Sequence, residues 1–430
     1  MRRVARSFTT KPQFNLKHLC ENQNYTRQNI LNRNVRVDYD RVVQLYHDTR
    51  QRIQRVNQLR HDRNERSRQL AKDRTPDTLQ AAKMSNESLK VEESALATLE
   101  SEFVQELSRI PNDTHPDAPL GDASHAKVVT QHGTTPVFDF VPKDHVELMQ
   151  RHDLLDLTGG LYYLKNQAAL LELALVQYSM SKCMDRGFMP VLTPDMVHRN
   201  LAKACGFAPR DDTRVSQTYT VHPEYDSCDQ ADYVLAATAE IPLAGMFADK
   251  RYLSSDLPRR VVGLGRSFRA EAGSHGKDTR GLYRVHQFTK VEMFIVGKQE
   301  DSEEHLAELV SLQQEIVKGL GLVYRVLDMP SEELGNSAYR KYDVEAWMPG
   351  RGEWGEVSSA SNCTDYQARR LNLRYSDKDG LVFAHTLNAT ACAVPRVLIA
   401  LLENNQDAHG NIQLPSVLEP WMKGQLCIRL

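Results

Sequence analysis

Between Arg41 and Leu107 the chain has no glycine and a single proline, at position 76. Both stretches flanking that proline are rich in strong helix formers. From Arg41 to Arg74, ten Arg or Lys stand against four acids (Asp48, Asp62, Glu65, Asp73); from Asp77 to Glu106, seven acids stand against Lys83 and Lys90. Leu45, Ile53, Val56 and Leu59 give the first stretch an imperfect apolar stripe, and Leu89, Leu96, Leu99, Phe103 and Leu107 give one to the second. Proline is tolerated at a first helical position and pushes its predecessor out of the helical region, so Thr75-Pro76 marks the break. The pattern predicts a long antiparallel helical hairpin, one helix basic and one acidic, on the order of 45 Å at ~1.5 Å per residue. The surplus cations on the first helix can serve phosphates, or the hairpin can be a solvated dimerisation coiled coil.

Ile110-Pro111 through Ala118-Pro119 read as a linker. Beyond it the pattern is mixed. Residues 166–187 predict an apolar-faced helix, 188–197 a short strand, 301–320 an acidic amphipathic helix and 322–328 a strand. Residues 341–347 and 354–374 read as further strands, 385–391 as extended chain and 394–404 as a helix. Long helices around hairpin-linked strands imply an α+β domain with a largely antiparallel sheet.

Residues 269–292 read RAEAGSHGKDTRGLYRVHQFTKVE. If both flanks are extended, Arg269 and Glu271 share a face, as do Arg284, His286, Phe288 and Glu292. The stretch from Gly273 to Gly281, with His275, Lys277 and Arg280, is too polar and Gly-rich for a buried element. An antiparallel hairpin (260–271 with 283–297) carrying a basic loop follows. Its charged, aromatic floor suits an anionic, planar, amine-bearing ligand such as ATP beside an amino acid; the alternative is a surface hairpin whose charges pair with one another. Gly263-Leu264-Gly265 begins like a dinucleotide fingerprint, but position 268 is Phe and the surroundings read as strand. Lys277 after Gly276 lacks the upstream glycine spacing of a P-loop. The sequence contains no H-E-x-x-H and no G-x-S-x-G.

At 430 residues, 41% hydrophobic and 26% charged, the composition is that of a globular protein of two to three domains. No run of about 18 apolar residues predicts a membrane span. Seven scattered cysteines without a C-x-x-C pair argue against a disulfide framework or a structural zinc site. The first 20 residues hold Arg2, Arg3, Arg6, Lys11 and Lys17 and no acid, the composition of a mitochondrial targeting segment or of a nucleic-acid-binding arm. Without those five cations, the formal charge of −2 becomes about −7, so any affinity for nucleic acid must come from locally concentrated positive charge.

RNERS (63–67), TAEIPLAG (238–245), FRAEAGSHGKDTRGLYRVHQFTKVEMF (268–294), GEVSSASNCTDYQARRLN (355–372) and LNATACAVPRVLIALLENNQ (387–406) occur in that order. Through them the chain resembles the seryl-tRNA synthetase family, particularly its mitochondrial members, from about Phe14 to Trp421. The resemblance implies a class II synthetase-like antiparallel sheet flanked by helices, preceded by the helical hairpin (coiled-coil) arm. Three segments are expected: a targeting segment at 1–20, a tRNA-binding arm domain at 21–120 and a catalytic aminoacylation domain at 121–430.

The resemblance further implies a serine–tRNA ligase that uses ATP and Mg²⁺ and acts on tRNA(Ser) as a homodimer in the mitochondrial matrix, with no membrane partner. A non-catalytic tRNA-binding paralogue is the alternative. By the same resemblance, Arg269 holds the α-phosphate, Glu271 meets the adenine amino group, and Phe288 and Arg396 sandwich the base. Arg269, Glu271 and Arg396 are the catalytic candidates. Ala270, Arg284, Val285, Val357 and Ser358 complete the ATP contacts, and Glu356 with Ser359 would hold the metal. Thr238, Ala239, Glu240, Arg269, Glu292, Asn388 and Thr390 would form the serine pocket. Arg50, Arg52, Arg55, Arg60, Arg63 and Arg66 on the arm, and Arg280 on the loop, would touch tRNA. Family members often carry glycine where Ala389 stands, so this chain departs from the pattern beside the pocket.

Overall fold

The structure, a computed structural model, describes residues 11–207, 218–221, 232–271, 280–378 and 380–429. Residues 1–10 of the expected leader and residues 273–279 of the expected basic loop lie outside these. Contacts divide the chain into one unit from Phe14 to Pro111 and another that continues from Asn112.

In the first unit, helix α1 spans Tyr39–Lys72 and α2 spans Pro76–Leu107. The Asp38 carboxylate accepts the Arg41 N–H at 3.0 Å and so starts α1. At the turn, Thr75 and Thr78 cap each other reciprocally with Pro76 opening α2. The apolar core is concentrated at the root, where Val42, Leu45 and Tyr46 pack with Phe103 and Leu107. Ile53, one of the residues of the expected stripe, is 37% exposed. Cys20 is buried in the same core and Phe14 packs against it. The fold of this unit therefore already includes residues 14–20, and it closes at Pro111.

The second unit is organised by an eight-stranded sheet. Its strands are β1 (Lys127–His132), β2 (Met189–Leu192), β3 (Arg259–Phe268), β4 (Gln287–Gly297), β5 (Tyr324–Asp328), β6 (Arg340–Met348), β7 (Glu353–Asn362) and β8 (His385–Ala393), in the order β1-β5-β6-β7-β8-β4-β3-β2. Every pairing is antiparallel except β2 with β3. Helices α3 (Asn166–Asp185), α5 (Ser302–Gly319) and α6 (Val394–Asn404) contribute Leu171, Leu309 and Leu398 to the core beneath the sheet, with Val291, Val344 and Leu387 from the strands. The short helix α4 (Glu240–Met246) packs on the other side in a second core with Phe294.

The long strand expected over 354–374 is three elements: β7, a helix at Tyr366–Leu371 and a strand at Arg374–Asp377. Asn372 in the left-handed region ends that helix. The apolar and polar residues of TDYQARRL mix both periods, which is why alternation alone misread it. Likewise 188–197 divides into β2 and a separate strand, Met196–His198, interrupted at Pro194.

Candidate active site

The central hairpin fixes the site. Strands β3 and β4 pair in continuous register from Phe268 opposite Gln287 to Arg259 opposite Val296. Past the strand end, the Arg269 N–H still donates to the His286 carbonyl at 2.9 Å. Arg269 then lies over the Phe288 ring at 5.3 Å, within cation–π range. Glu271 takes a positive φ of 47°, which turns the chain out of the strand, and its carboxylate accepts from Arg284 at 3.3 Å.

One cleft is lined by Arg269, Glu271, Arg284, Val285, Phe288, Glu356, Val357, Ser358, Ser359, Thr390 and Arg396. The structure thus brings together the expected ATP set, with Ala270 beside it between Arg269 and Glu271 in the chain. Arg396, in the first turn of α6, donates to the Glu356 carboxylate at 3.0 Å and to the Tyr283 carbonyl at 3.2 Å, and lies 4.7 Å over the Tyr283 ring. Burial works against ionisation of Glu356, but Arg396 and Lys341 outweigh it and hold the carboxyl down at about 2. Burial and the neighbouring Arg396 pull the Arg269 guanidinium below its usual range.

Glu356 and Ser359 are three apart in a strand, a spacing that ordinarily places side chains on opposite faces. Val344 pairs with Ser358 while Glu345 pairs with Glu356, so Val357 is an extra residue, a β-bulge that restores both to one face. A second bulge at Ala391 separates Thr390, opposite Glu292, from Cys392, opposite Val291. Both irregularities border the cleft. The Glu356 carboxylate and the Ser359 hydroxyl are hard oxygen donors, which suit a hard cation. Two such oxygens match what Mg²⁺ takes from a protein when phosphate and water complete its shell.

Beneath the cleft lies a chain of buried polar groups. Lys290 donates to the Thr238 hydroxyl at 3.1 Å and reaches Glu292 at 2.6 Å; Thr390 donates to the same Glu292 oxygen at 3.3 Å. Glu240 accepts from Gln367 at 2.6 Å and from Asn388 at 2.9 Å. Burial, with Glu292 nearby, pushes the Glu240 carboxyl up to about 7. Ala239 packs against Gly265, where an added Cβ would lie 3.1 Å from the Ala239 Cβ and 2.7 Å from Thr193 Oγ1. Gly265 therefore lets the 238–240 segment approach the sheet, and Gly263 does the same for Leu243 of α4, a structural use in place of nucleotide binding. Ala389 pairs with Met293 and Ala360 and joins the core with Leu387 and Ala391, on the face opposite Asn388 and Thr390.

Sequence reasoning missed Lys290, although it shares the parity of Phe288 and Glu292, which was a usable signal. It also missed Tyr283 and Gln367, whose roles depend on partners more than 100 residues away. On the arm, Arg52 and Arg55 lie 3.7 and 3.0 Å from Glu92, and Arg60 lies 2.8 Å from Glu93. Arg50 donates to the Tyr46 hydroxyl; Arg63 and Arg66, nearer the turn, bond Asn64 and the Ala81 carbonyl. Arg280 pairs with Asp144 at 2.9 Å with two thirds of its side chain exposed.

A sequence model described as tRNA synthetase class II core domain (G, H, P, S and T) matches residues 219–405, and one described as Seryl-tRNA synthetase N-terminal domain matches residues 14–114. The chain is 43% identical over 420 residues to a serine–tRNA ligase of Treponema denticola, covering 94% of this chain and 97% of that protein. It is 48% identical over 334 residues to the mitochondrial serine–tRNA ligase of Mus musculus, covering 75% of this chain and 63% of that protein. Its fold matches the crystal structure of seryl-tRNA synthetase from Pyrococcus horikoshii complexed with ATP, with a TM-score of 0.84 at 32% identity over 96% of this chain and 99% of that one.

Proposed function

The chain belongs to the seryl-tRNA synthetase family of class II aminoacyl-tRNA synthetases, and from that premise we propose that it is an active serine–tRNA ligase. It joins L-serine to ATP as seryl-adenylate and passes the seryl group to tRNA(Ser). The observation that carries this reading is the convergence of Arg269, Phe288, Glu356 and Arg396 on one cleft, directly above the buried Thr238–Lys290–Glu292–Thr390 chain.

The serine carboxylate is already ionised, so no general base is needed. One of its oxygens attacks the α-phosphorus in line, the bond to the β-phosphate oxygen breaks, and pyrophosphate leaves. What the residues supply is position and charge. Arg269 holds the α-phosphate, where its fork suits paired oxygens. Phe288 and Arg396 enclose the adenine, and Glu271 with the backbone of Ala270 and Val285 reads its edge. Arg284 braces Glu271. Glu356 and Ser359 would hold Mg²⁺, which spreads phosphate charge when bound. In the second step a terminal ribose hydroxyl of the tRNA attacks the seryl carbonyl, and AMP departs.

Glu240 meets the serine ammonium, and Glu292 with Thr390 meets its hydroxyl. Lys290 offsets one of the two buried carboxylates, so the pocket keeps a net negative charge for one ammonium. Alanine would leave Glu292 and Thr390 without their partner, a strong rejection; threonine must be excluded by size. A non-catalytic paralogue would be free to lose such groups, and the whole set is in place.

The arm and Arg280 carry the tRNA contacts, read by phosphates and shape, and the active species is a homodimer. Location in the mitochondrial matrix is supported by the acid-free basic start and by the similarity to the mouse mitochondrial enzyme. Among the described residues, no helix is long and apolar enough to cross a membrane. Serine-dependent ATP–pyrophosphate exchange and serylation of mitochondrial tRNA(Ser) by the purified chain test the activity; absence of both ends this reading. Import into isolated mitochondria tests the location.

A further inference from the structure

We propose that Glu403 and His145 are positioning residues that set the ATP cleft from behind, through the segment from Gly281 to Arg284; the inference rests on the ligase reading above. Glu403 is the penultimate residue of α6 and is completely buried. Its two oxygens accept four N–H groups from two separate segments. Oε1 takes the His145 backbone N–H at 3.0 Å and faces His145 Nδ1 at 3.1 Å. Oε2 takes the backbone N–H groups of Gly350 and Arg351 at 2.9 and 3.2 Å.

The other imidazole nitrogen, His145 Nε2, accepts the Leu282 backbone N–H at 3.1 Å. Because Nε2 accepts, the ring proton sits on Nδ1, where it donates to Glu403. The carboxylate thus fixes the tautomer, and the tautomer fixes Leu282. One residue on, Tyr283 presents its carbonyl to Arg396 and its ring to both Arg396 and Arg351, the latter at 3.8 Å. Glu403 consequently reaches Tyr283 by two routes, through His145 and Leu282 and through Arg351. Arg284, next in the chain, braces Glu271.

Gly281 makes the fit close. It has a φ of +72°, and an added Cβ would lie 2.3 Å from His145 Nε2 and 2.5 Å from Val146 Cγ2. Only glycine meets both demands, so the backbone at Gly281 is pressed against the imidazole. Neither Glu403 nor His145 lines the cleft. Their effect on the reaction must pass through the placement of Tyr283, Arg284 and Arg396.

The test is the split between KM and kcat in serine-dependent ATP–pyrophosphate exchange. Glu403→Gln keeps the shape but puts an amide N–H against one of the donor pairs. The expected result is an ATP KM raised about 10-fold, with kcat and serine KM within about twofold of the parent. Gly281→Ala, which disturbs the same contact from the Gly281 side, should move ATP KM in the same direction. Leu334→Ala, buried in a separate apolar cluster with Leu327 and Met329, should lower the melting temperature and leave ATP KM unchanged. If Glu403→Gln lowers the melting temperature and leaves ATP KM within twofold, the residue is merely structural and the inference is overturned. Should Glu403→Gln fail to fold, an unchanged ATP KM in Gly281→Ala overturns it equally. No exchange by the parent chain would instead remove the ligase reading, and this inference with it.

Discussion

In the helical hairpin, Arg55 and Arg60 meet Glu92 and Glu93 with half or more of each arginine side chain in solvent. In the sheet, Lys290 meets Glu292 with both side chains almost wholly removed from water. The same pairing of cation with carboxylate therefore does different physical work in the two regions. On the arm, water screens each pair, and each arginine can exchange its carboxylate for a phosphate at little cost. In the sheet, each charge depends on the other, because an unpaired buried charge is far more costly than a paired one. The arm keeps its charges available; the sheet holds its charges fixed.

Removing a fixed charge from the reaction centre should have the largest effect. Arg269→Ala is expected to lower kcat/KM for pyrophosphate exchange by about 10³-fold while tRNA retention on filters is unchanged. Exchange surviving within about tenfold would mean that the cleft does not hold the nucleotide.

Next comes the buried pair. Lys290→Met strands Glu292 and should cost about 3 kcal/mol in urea denaturation, whereas Lys290→Met combined with Glu292→Leu should recover most of that stability. Equal losses in both variants would show that the pair is not coupled.

Arg55→Ala with Arg60→Ala should change stability by less than about 1 kcal/mol, since exposed pairs contribute little. The same variant should lower kcat/KM for tRNA by about 10-fold, flatten its salt dependence and leave pyrophosphate exchange unaffected. A stability loss as large as that of Lys290→Met would erase the contrast between the regions.

The smallest expected effect is a pH dependence. Burial first, and Glu292 second, raise Glu240 from 4.5 to about 7 in the folded protein. Between those values the folded state holds the proton more tightly than the unfolded chain. Glu240 thus favours folding fully below about 4.5, and that contribution is lost as pH rises to about 7. With Glu240 receiving the serine ammonium, as proposed, binding needs the ionised form, and serine KM should fall severalfold as pH rises through about 7. Glu240→Gln should flatten that profile; an unchanged profile would place the ammonium elsewhere.

The legible parts of the sequence were those with a simple period or a distinctive spacing. The turn at Thr75-Pro76, the helix at 394–404 and the shared face of Phe288 and Glu292 all followed from local chemistry, whereas the meeting of Arg269 with Phe288 needed the register of β3 on β4. The segment at 366–371 did not, because its pattern served both periods until it was packed against Glu240 and Thr386 through Gln367. The common face of Glu356 and Ser359 was implied only by family resemblance, since strict alternation would have separated them. The bulge that unites them depends on the register with β6.

The residues alone determined the hairpin, its division into basic and acidic helices, and which chemical groups the nucleotide floor could offer, because these depend on propensity and on neighbours a few positions away. Only the tertiary structure decided that Lys290 joins Thr238 to Glu292, that Glu240 is buried beside Gln367, and that Glu403 reaches Leu282 through His145. Apart from Lys290 and Glu292, two positions apart on one strand, these partners lie tens to hundreds of residues apart in the chain, and burial and long-range register, which place and tune them, exist only once the sheet has closed around them.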